Sequence, residues 1–173
     1  MSLMPRGEAL LLPANPFFIA ITLLLALAFN LLPLGRNPAL PDLLALTLAF
    51  WAAHQPRRVG VSISFCFGLV MDVHQGSLLG QHGLAYALLA FGAVALHRRL
   101  LWFPVLQQAL QVLPLLMAAH LVSLVVRLIA GDLFPGLSYF FAPLLEAALW
   151  PVASLLLLAP LRRAPDPDEN RPL

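Results

Sequence analysis

Lysine is missing from this 173-residue sequence, and charged residues of any kind make up only 10% of it. All ten basic residues are arginines, and against eight acidic residues they leave a net charge of +2. Such a small excess, divided among short clusters, offers no basic face that could follow a phosphate backbone. The sequence therefore predicts no nucleic-acid partner.

Cysteine is scarce as well, and so are the residue patterns of hydrolases. The single Cys66 lies in an apolar run, which excludes an intrachain disulfide and predicts a small buried side chain. Ser77 and His82 are close in sequence, yet no Gly-x-Ser-x-Gly elbow surrounds this serine, and two facing aspartates within apolar segments are missing. We therefore expect no enzymatic activity and assign no catalytic residue and no cofactor.

Hydrophobic residues are what the sequence has in excess, at 61% of the chain. Its 18 charged side chains, ten basic plus eight acidic, cannot cover the polar surface that a soluble protein of this length needs. In hydrocarbon, each backbone amide must be satisfied within a helix or a closed barrel, and the apolar runs lack the alternation of barrel strands. The composition thus predicts an all-α integral membrane protein.

Six apolar segments bounded by Pro, Gly and Arg are the candidate spans. They are Pro16 to Leu34, Leu40 to Ala53, Val59 to Val73, Leu78 to Leu96, Pro104 to Ala130 and Leu137 to Leu161. The second and third have 14 and 15 residues, fewer than a full span needs, so a single re-entrant hairpin is the alternative. That hairpin would bring Arg57 and Arg58 near the bilayer midplane, at a cost of about 2.5–3.5 kcal/mol each. Two short spans are therefore favoured, which gives a six-helix transmembrane bundle.

Arginine is distributed unevenly between the two ends of the predicted spans. Eight arginines fall on one side, and only Arg36 and Arg127 fall on the other. Because cytoplasmic loops gather basic residues, both termini are predicted to be cytoplasmic. The cytoplasmic anchors are Arg57, Arg58, Arg98, Arg99, Arg162 and Arg163. Residues 1–163 are predicted to form one transmembrane domain, and the Pro-rich, acidic residues 164–173 a disordered tail.

Polar residues concentrate in the predicted outer turn between the third and fourth segments. Asp72, His74 and His82 are residue types that bind zinc or iron, but no cysteine or second carboxylate joins them, so no metal site is predicted. Asp72 is expected instead to cap the exposed amides at the start of the following helix.

Small residues recur every four positions along the third segment and into this turn, where two further glycines form a GxxxG step. They are Gly60, Ser64, Gly68, Asp72, Gly76 and Gly80, and Gly83 continues the small face in the fourth segment. Small side chains let helix backbones approach closely. The spacing predicts a tightly packed hairpin of the third and fourth helices.

The same stretch carries a family resemblance. Gly68 to Gly83 reads Gly-Leu-x-x-Asp-x-x-x-Gly-x-x-x-Gly-x-x-Gly, which resembles the signature of the MreD family of rod shape-determining proteins. Phe50-Trp51, followed by His54-x-Pro56-Arg57-x-Val59-Gly60, is similar to the family's second span and link. Trp150-Pro151 with a basic exit at Arg162-Arg163 also fits. The resemblance extends over essentially the whole chain and is strongest from about residue 41 to residue 91.

This resemblance implies a non-catalytic scaffold of the bacterial cell-elongation machinery, which synthesises lateral peptidoglycan and maintains rod shape. It implies a multi-pass protein of the cytoplasmic membrane that contacts MreC directly. MreB, the RodA glycosyltransferase and the elongation transpeptidase are implied to belong to the same complex. The family's helical arrangement is similar to that of the substrate-binding subunits of vitamin uptake transporters. The family-pattern residues Gly68, Asp72, Gly76, Gly80 and Gly83 are expected to act structurally.

Two ionisable residues lie deep inside predicted spans, where such groups are costly and often functional. Glu146 is nine residues into the last segment, and His120 is ten residues from the outer end of the fifth, so their depths are similar. We predict that they form a buried polar pair. The alternative is a pocket lined by His120, Glu146 and Asn30 at the centre of the bundle, as in a small-molecule-binding transporter subunit.

Overall fold

The computed structural model describes residues 14–32 and 40–161 as an all-helical bundle. Its helices are α1 (Pro16–Asn30), α2 (Leu43–His54), α3 (Val61–Gln75), α4 (Gln81–Trp102), α5 (Val105–Ile129) and α6 (Phe141–Leu158), with short 3-10 turns at Leu137–Phe140 and Ala159–Leu161. These two ranges contain no strand, so the all-α prediction is confirmed. Arg162, Arg163 and the predicted tail of residues 164–173 lie outside the described residues.

Three helical stretches are long and apolar enough to cross a membrane. They are α4 with 22 residues, α5 with 25, and the run Leu137–Leu161, also with 25. At a rise of 1.5 Å per residue, 22 residues extend about 33 Å, which matches a hydrocarbon core of about 30 Å. The chain is a membrane protein. The other three helices are apolar but shorter, with 15, 12 and 15 residues in α1, α2 and α3.

Helix α2 is the centre of the bundle. All ten residues from Leu44 to Ala53 are buried, and its neighbours are α1, α4, α5 and α6. A helix that is hydrophobic on every side is expected in such a position. The indole of Trp51 is fully buried, and its Nε1–H donates to Thr22 Oγ1 at 2.9 Å. At 12 residues, α2 extends only about 18 Å and leaves room beyond its N-terminus.

The outward faces of the bundle are apolar. Phe17 of α1, Val73 of α3 and Ile129 of α5 are each at least 74% exposed, and Trp102 is 86% exposed. Lipid is the environment in which such a surface is stable. The prediction that Cys66 is buried was wrong, because its side chain is exposed on α3. In a membrane helix an apolar side chain is stable on either face, and an apolar run alone does not predict burial in protein.

Candidate functional site

The hairpin of α3 and α4 is held by a close approach of two backbones. Ser64, Gly68 and Asp72 are buried along α3, and Gly83 is buried on the facing side of α4. A Cβ atom added to Gly68 would lie 2.5 Å from the Cα and N atoms of Gly83 and from the carbonyl oxygen of His82. No side chain fits in that space, so the two helices touch through their main chains.

Asp72 ties the end of α3 to the start of α4. Its carboxylate is fully buried, and Oδ2 accepts from the backbone N–H of Gly80 at 2.8 Å and of Gly83 at 3.3 Å. Oδ1 accepts from the backbone N–H of His82 at 2.8 Å, from its Nδ1 at 2.8 Å and from the Ser77 hydroxyl at 3.0 Å. The first amides of α4 receive no side-chain cap from Gly80. Asp72 supplies that cap from the preceding helix.

The three residues considered as metal ligands are only partly brought together. Asp72 and His82 are in contact, whereas the side chain of His74 is exposed at the end of α3. Within residues 14–32 and 40–161, no three His, Cys, Asp or Glu side chains are grouped closely enough to hold a metal ion.

The expected GxxxG packing step at Gly76 and Gly80 was wrong. Both glycines lie in the turn between the helices, with φ of +63° and +101°, and a Cβ on either would meet nothing within 4 Å. Their role is conformational, because this left-handed backbone region favours glycine. The same four-residue spacing indicates packing only when both residues lie within a helix.

A polar cleft of about 1120 Å³ opens at the end of the bundle where α2 begins. The short α2 begins deeper in the bundle than its neighbours end. The cleft occupies the space above its N-terminus, between the C-terminal ends of α1, α3 and α5 and the N-terminal ends of α4 and α6. Its polar lining consists of Asn30, Asp42, His74, Gln75, Ser77, Gln81, His82, Tyr86, His120, Ser123, Arg127, Asp132 and Tyr139. Because of its size and polar lining, this cleft is the candidate ligand-binding site within the part of the chain that the structure describes.

Asp42, Tyr86 and His120 form the inner end of the cleft, which we call its floor. Asp42 makes most of the hydrogen bonds there. It is the N-cap of α2, and its Oδ1 accepts from the backbone N–H of Ala45 at 2.9 Å. The amide of Asn30 donates to the same oxygen at 2.5 Å, and the hydroxyl of Tyr86 donates to Oδ2. The backbone N–H of Asp42 donates to Oε1 of Glu146 at 2.9 Å. One aspartate thus joins α1, α2, α4 and α6.

His120 and Glu146, the predicted buried pair, are brought together by α5 and α6. His120 Nε2 lies 3.4 Å from Glu146 Oε1, and the Glu146 side chain is fully buried. His120 Nδ1 lies 3.0 Å from the carbonyl oxygen of Leu116, and the Tyr139 hydroxyl donates to the carbonyl oxygen of His120 at 3.1 Å. His120 lines the cleft, as does Asn30, whereas Glu146 lies behind the floor.

Two further polar contacts flank the cleft. The Gln81 side chain, at the start of α4, donates to the Ser123 hydroxyl of α5 at 3.0 Å, and both residues are buried. Nearer the opening, Arg127 Nε lies 3.2 Å from Asp132 Oδ2, with both side chains more than a third exposed. His120, Ser123 and Arg127 share one face of α5, because residues three and four apart are neighbours on a helix, and all three line the cleft.

The predicted arginine anchors within the described ranges lie at the other end of the bundle. Arg57 and Arg58 follow α2, and Arg98 and Arg99 are near the end of α4, while the cleft is at the N-terminal ends of both helices. All four arginines are exposed. Arg58 also donates to the carbonyl oxygen of Ala14 at 2.6 Å. The bundle therefore has one basic end and one end that carries the polar cleft.

Sequence reasoning missed Asp42 and Tyr86. The pair Pro41-Asp42 before an apolar run is a signal for a helix start, because Asp is a favoured N-cap residue. That signal locates the start of α2 along the chain. It carries no information on the depth of this start within the bundle, which depends on how the surrounding helices extend past it.

Two comparisons with known proteins match most of this chain to the same family. A family model described as rod shape-determining protein MreD matches residues 13–162. The rod shape-determining protein MreD of Haemophilus influenzae is 29% identical over 132 residues, which cover 72% of this chain and 77% of that protein. No solved structure matches the chain.

Proposed function

Because this chain belongs to the MreD family of rod shape-determining proteins, we propose that it is a non-catalytic membrane scaffold of the bacterial cell-elongation complex. In this role it contacts MreC within the membrane and holds MreB, RodA and the elongation transpeptidase in one assembly. The observation that carries the proposal is the family match, which extends through all six helices of the bundle.

The contacts of the family-pattern residues support a scaffold. Gly68 and Gly83 bring two helices into backbone contact, and Asp72 caps the second of them. The Asp72 carboxylate accepts five hydrogen bonds from Ser77, Gly80, His82 and Gly83. Together with the close approach of Gly68 to Gly83, these bonds fix the shape of the hairpin. A rigid hairpin with an apolar outer face suits packing against the spans of other membrane proteins, because such packing depends on complementary helix surfaces.

We also propose that all six helices span the cytoplasmic membrane, with the basic end and both termini in the cytoplasm. The exposed Arg57, Arg58, Arg98 and Arg99 at one end of the bundle agree with the tendency of cytoplasmic loops to gather arginine. The cleft then faces outward. The arrangement is proposed to resemble that of the substrate-binding subunits of vitamin uptake transporters.

Single cysteines introduced in a Cys66→Ser background test this topology. An impermeant maleimide applied to intact cells is expected to label Asp132→Cys and to leave Arg57→Cys and Arg98→Cys unlabelled until the membrane is permeabilised. The exposed Asp132 and the two exposed arginines are accessible sites, so lack of reaction reports the side of the membrane. Labelling of Arg57→Cys in intact cells would contradict the proposed orientation.

Depletion of the protein in its rod-shaped host tests the scaffold. Cells are expected to become round, and MreC is expected to stop co-purifying with RodA and the transpeptidase, because the assembly loses its membrane scaffold. Re-expression of the wild-type chain serves as the control. Cells that remain rods, with the complex intact, would contradict the proposal.

A second candidate function, a small-molecule-binding subunit of a membrane transporter, is favoured by one observation. The polar cleft of about 1120 Å³ leads to the floor formed by Asp42, Tyr86 and His120. Polar groups at such depth in a membrane protein are costly, and they commonly mark the path or site of a ligand.

A further inference from the structure

The floor of the polar cleft has acceptors to spare. The donors that face its carboxylates are the amide of Asn30, the hydroxyl of Tyr86 and the backbone N–H groups of Asp42 and Ala45, and each of them is engaged by Asp42 or Glu146. A carboxylate accepts about four hydrogen bonds, and a phenol that has donated still accepts. At Asp42, which lines the cleft, Oδ1 accepts two of these bonds and Oδ2 accepts one, so the carboxylate keeps acceptor capacity. A complementary ligand must therefore bring donors.

His120 does not remove this surplus. Its Nδ1 lies 3.0 Å from the Leu116 carbonyl oxygen, so the proton on that nitrogen is used within α5. The other nitrogen, Nε2, faces Oε1 of Glu146 at 3.4 Å. If Nε2 is protonated, its charge is balanced by Glu146 and no charge is left for Asp42. If it is not, the proton between the two side chains belongs to Glu146, and His120 again brings no charge to Asp42.

The negative charge of Asp42 is not balanced by a cation. Asp42 is partnered by an amide, a phenol and a backbone N–H, all of them neutral. In the described ranges, Arg127 is the only arginine that lines the cleft, and it is paired with Asp132 at 3.2 Å. No arginine of those ranges lies within ion-pair distance of Asp42 or Glu146. In a medium of low dielectric, a carboxylate without a cation attracts one strongly.

We propose that the cleft binds a small organic cation with N–H donors, of the alkylammonium class, and that Asp42 is its counter-ion. The ammonium group donates to Asp42 and to the Tyr86 oxygen, while its alkyl part rests on Met71, Ala85 and Ala119, which also line the cleft. Ammonium supplies three donors and no acceptor, which is what the floor lacks. This inference rests on the second candidate function, ligand binding, and is independent of the scaffold.

Binding is measured on the full-length chain in nanodiscs of zwitterionic lipid, so that an anionic bilayer does not concentrate the probe. Titration with n-butylammonium chloride is expected to raise the thermal unfolding midpoint in a saturable manner, since a ligand of the native state stabilises it. Sodium butyrate and n-butanol at the same concentrations are expected to leave the midpoint unchanged. An equal rise with n-butanol would overturn the assignment of a cation site.

Asp42→Asn is the test variant, because asparagine caps a helix as well as aspartate does, removes the charge and replaces one acceptor oxygen with an amide donor. We expect its affinity for n-butylammonium to fall at least tenfold. The control is Arg98→Gln, which removes an exposed charge at the opposite, basic end of the bundle, and its affinity is expected to change less than threefold. Equal affinities for Asp42→Asn and the wild-type chain would overturn the proposal.

A second measurement needs no variant and applies even if Asp42→Asn does not fold. Labelled n-butylammonium is expected to bind the wild-type chain with one saturable site, from which unlabelled ethylammonium displaces it and n-butanol does not. Absence of saturable binding would overturn the cation site. It would leave the scaffold proposal intact, because that proposal is tested separately by cell shape after depletion.

Discussion

Asp72→Ala is expected to prevent the protein from accumulating in the membrane. The change removes the acceptor of three backbone N–H groups, of the His82 ring and of the Ser77 hydroxyl, all at a fully buried site. Each buried donor left without a partner costs about 1–3 kcal/mol, and loss of one member of a buried polar pair costs about 3–5 kcal/mol in all. The measurement is the amount of folded protein in membranes, together with its unfolding in detergent.

His82→Ala is the matched control for this change. It removes one side-chain donor and leaves the backbone N–H groups of Gly80, His82 and Gly83 bonded to Asp72. A smaller loss, of about 1.5–3 kcal/mol, is expected because a single hydrogen bond to a charged group is removed. If the two variants are equally unstable, the ion-pair-like contact with His82 dominates, and the capping role assigned to Asp72 is wrong.

Gly68→Ala has the second largest expected effect. The new Cβ would lie 2.5 Å from main-chain atoms of Gly83, which cannot move aside as a side chain does, so α3 and α4 must separate. Overpacking of this kind costs about 1–3 kcal/mol, and a contact with backbone places the cost near the upper end. The free energy of unfolding in detergent micelles measures it.

Gly83→Ala provides the comparison within the same helix pair. Its Cβ would meet the Phe65 ring at 3.0 Å, and rotation of that ring relieves the contact. We expect a loss of less than about 1 kcal/mol, because a side chain adapts more readily than backbone. A greater loss for Gly83→Ala than for Gly68→Ala would contradict the backbone contact described at Gly68.

The sequence allowed the helices and the α3–α4 hairpin to be predicted because both depend on local spacing. Apolar runs between Pro, Gly and Arg correspond to the six helices, and the four-residue repeat of Ser64, Gly68 and Asp72 lies on the face toward α4. The approach of His120 to Glu146 was also predictable, by counting residues along two helices of known rise. In each case one element, or two adjacent ones, contained the information.

The cleft could not be predicted in the same way. Its floor depends on where the 12-residue α2 begins relative to four neighbouring helices, and Asn30, Asp42 and Tyr86 come from three different elements. The packing step expected at Gly76 and Gly80 failed because both glycines lie in the turn, where a GxxxG spacing brings no helix faces together. Cys66 was misassigned because apolar residues lie on both the protein-facing and the outward faces of a membrane helix.

The unequal helix lengths of this bundle have a consequence for the surrounding bilayer. At 15 residues each, α1 and α3 extend about 22 Å, while α4 and α5 extend about 33 Å or more. In the proposed topology, lipid beside the outward faces of α1 and α3 must thin by several ångströms, at a cost of a fraction of a kcal/mol per ångström. That cost falls when short-chain lipids, or other proteins with short spans, occupy the thinned zone. Hydrophobic mismatch would thus recruit such neighbours to these two helices without any specific side-chain contact.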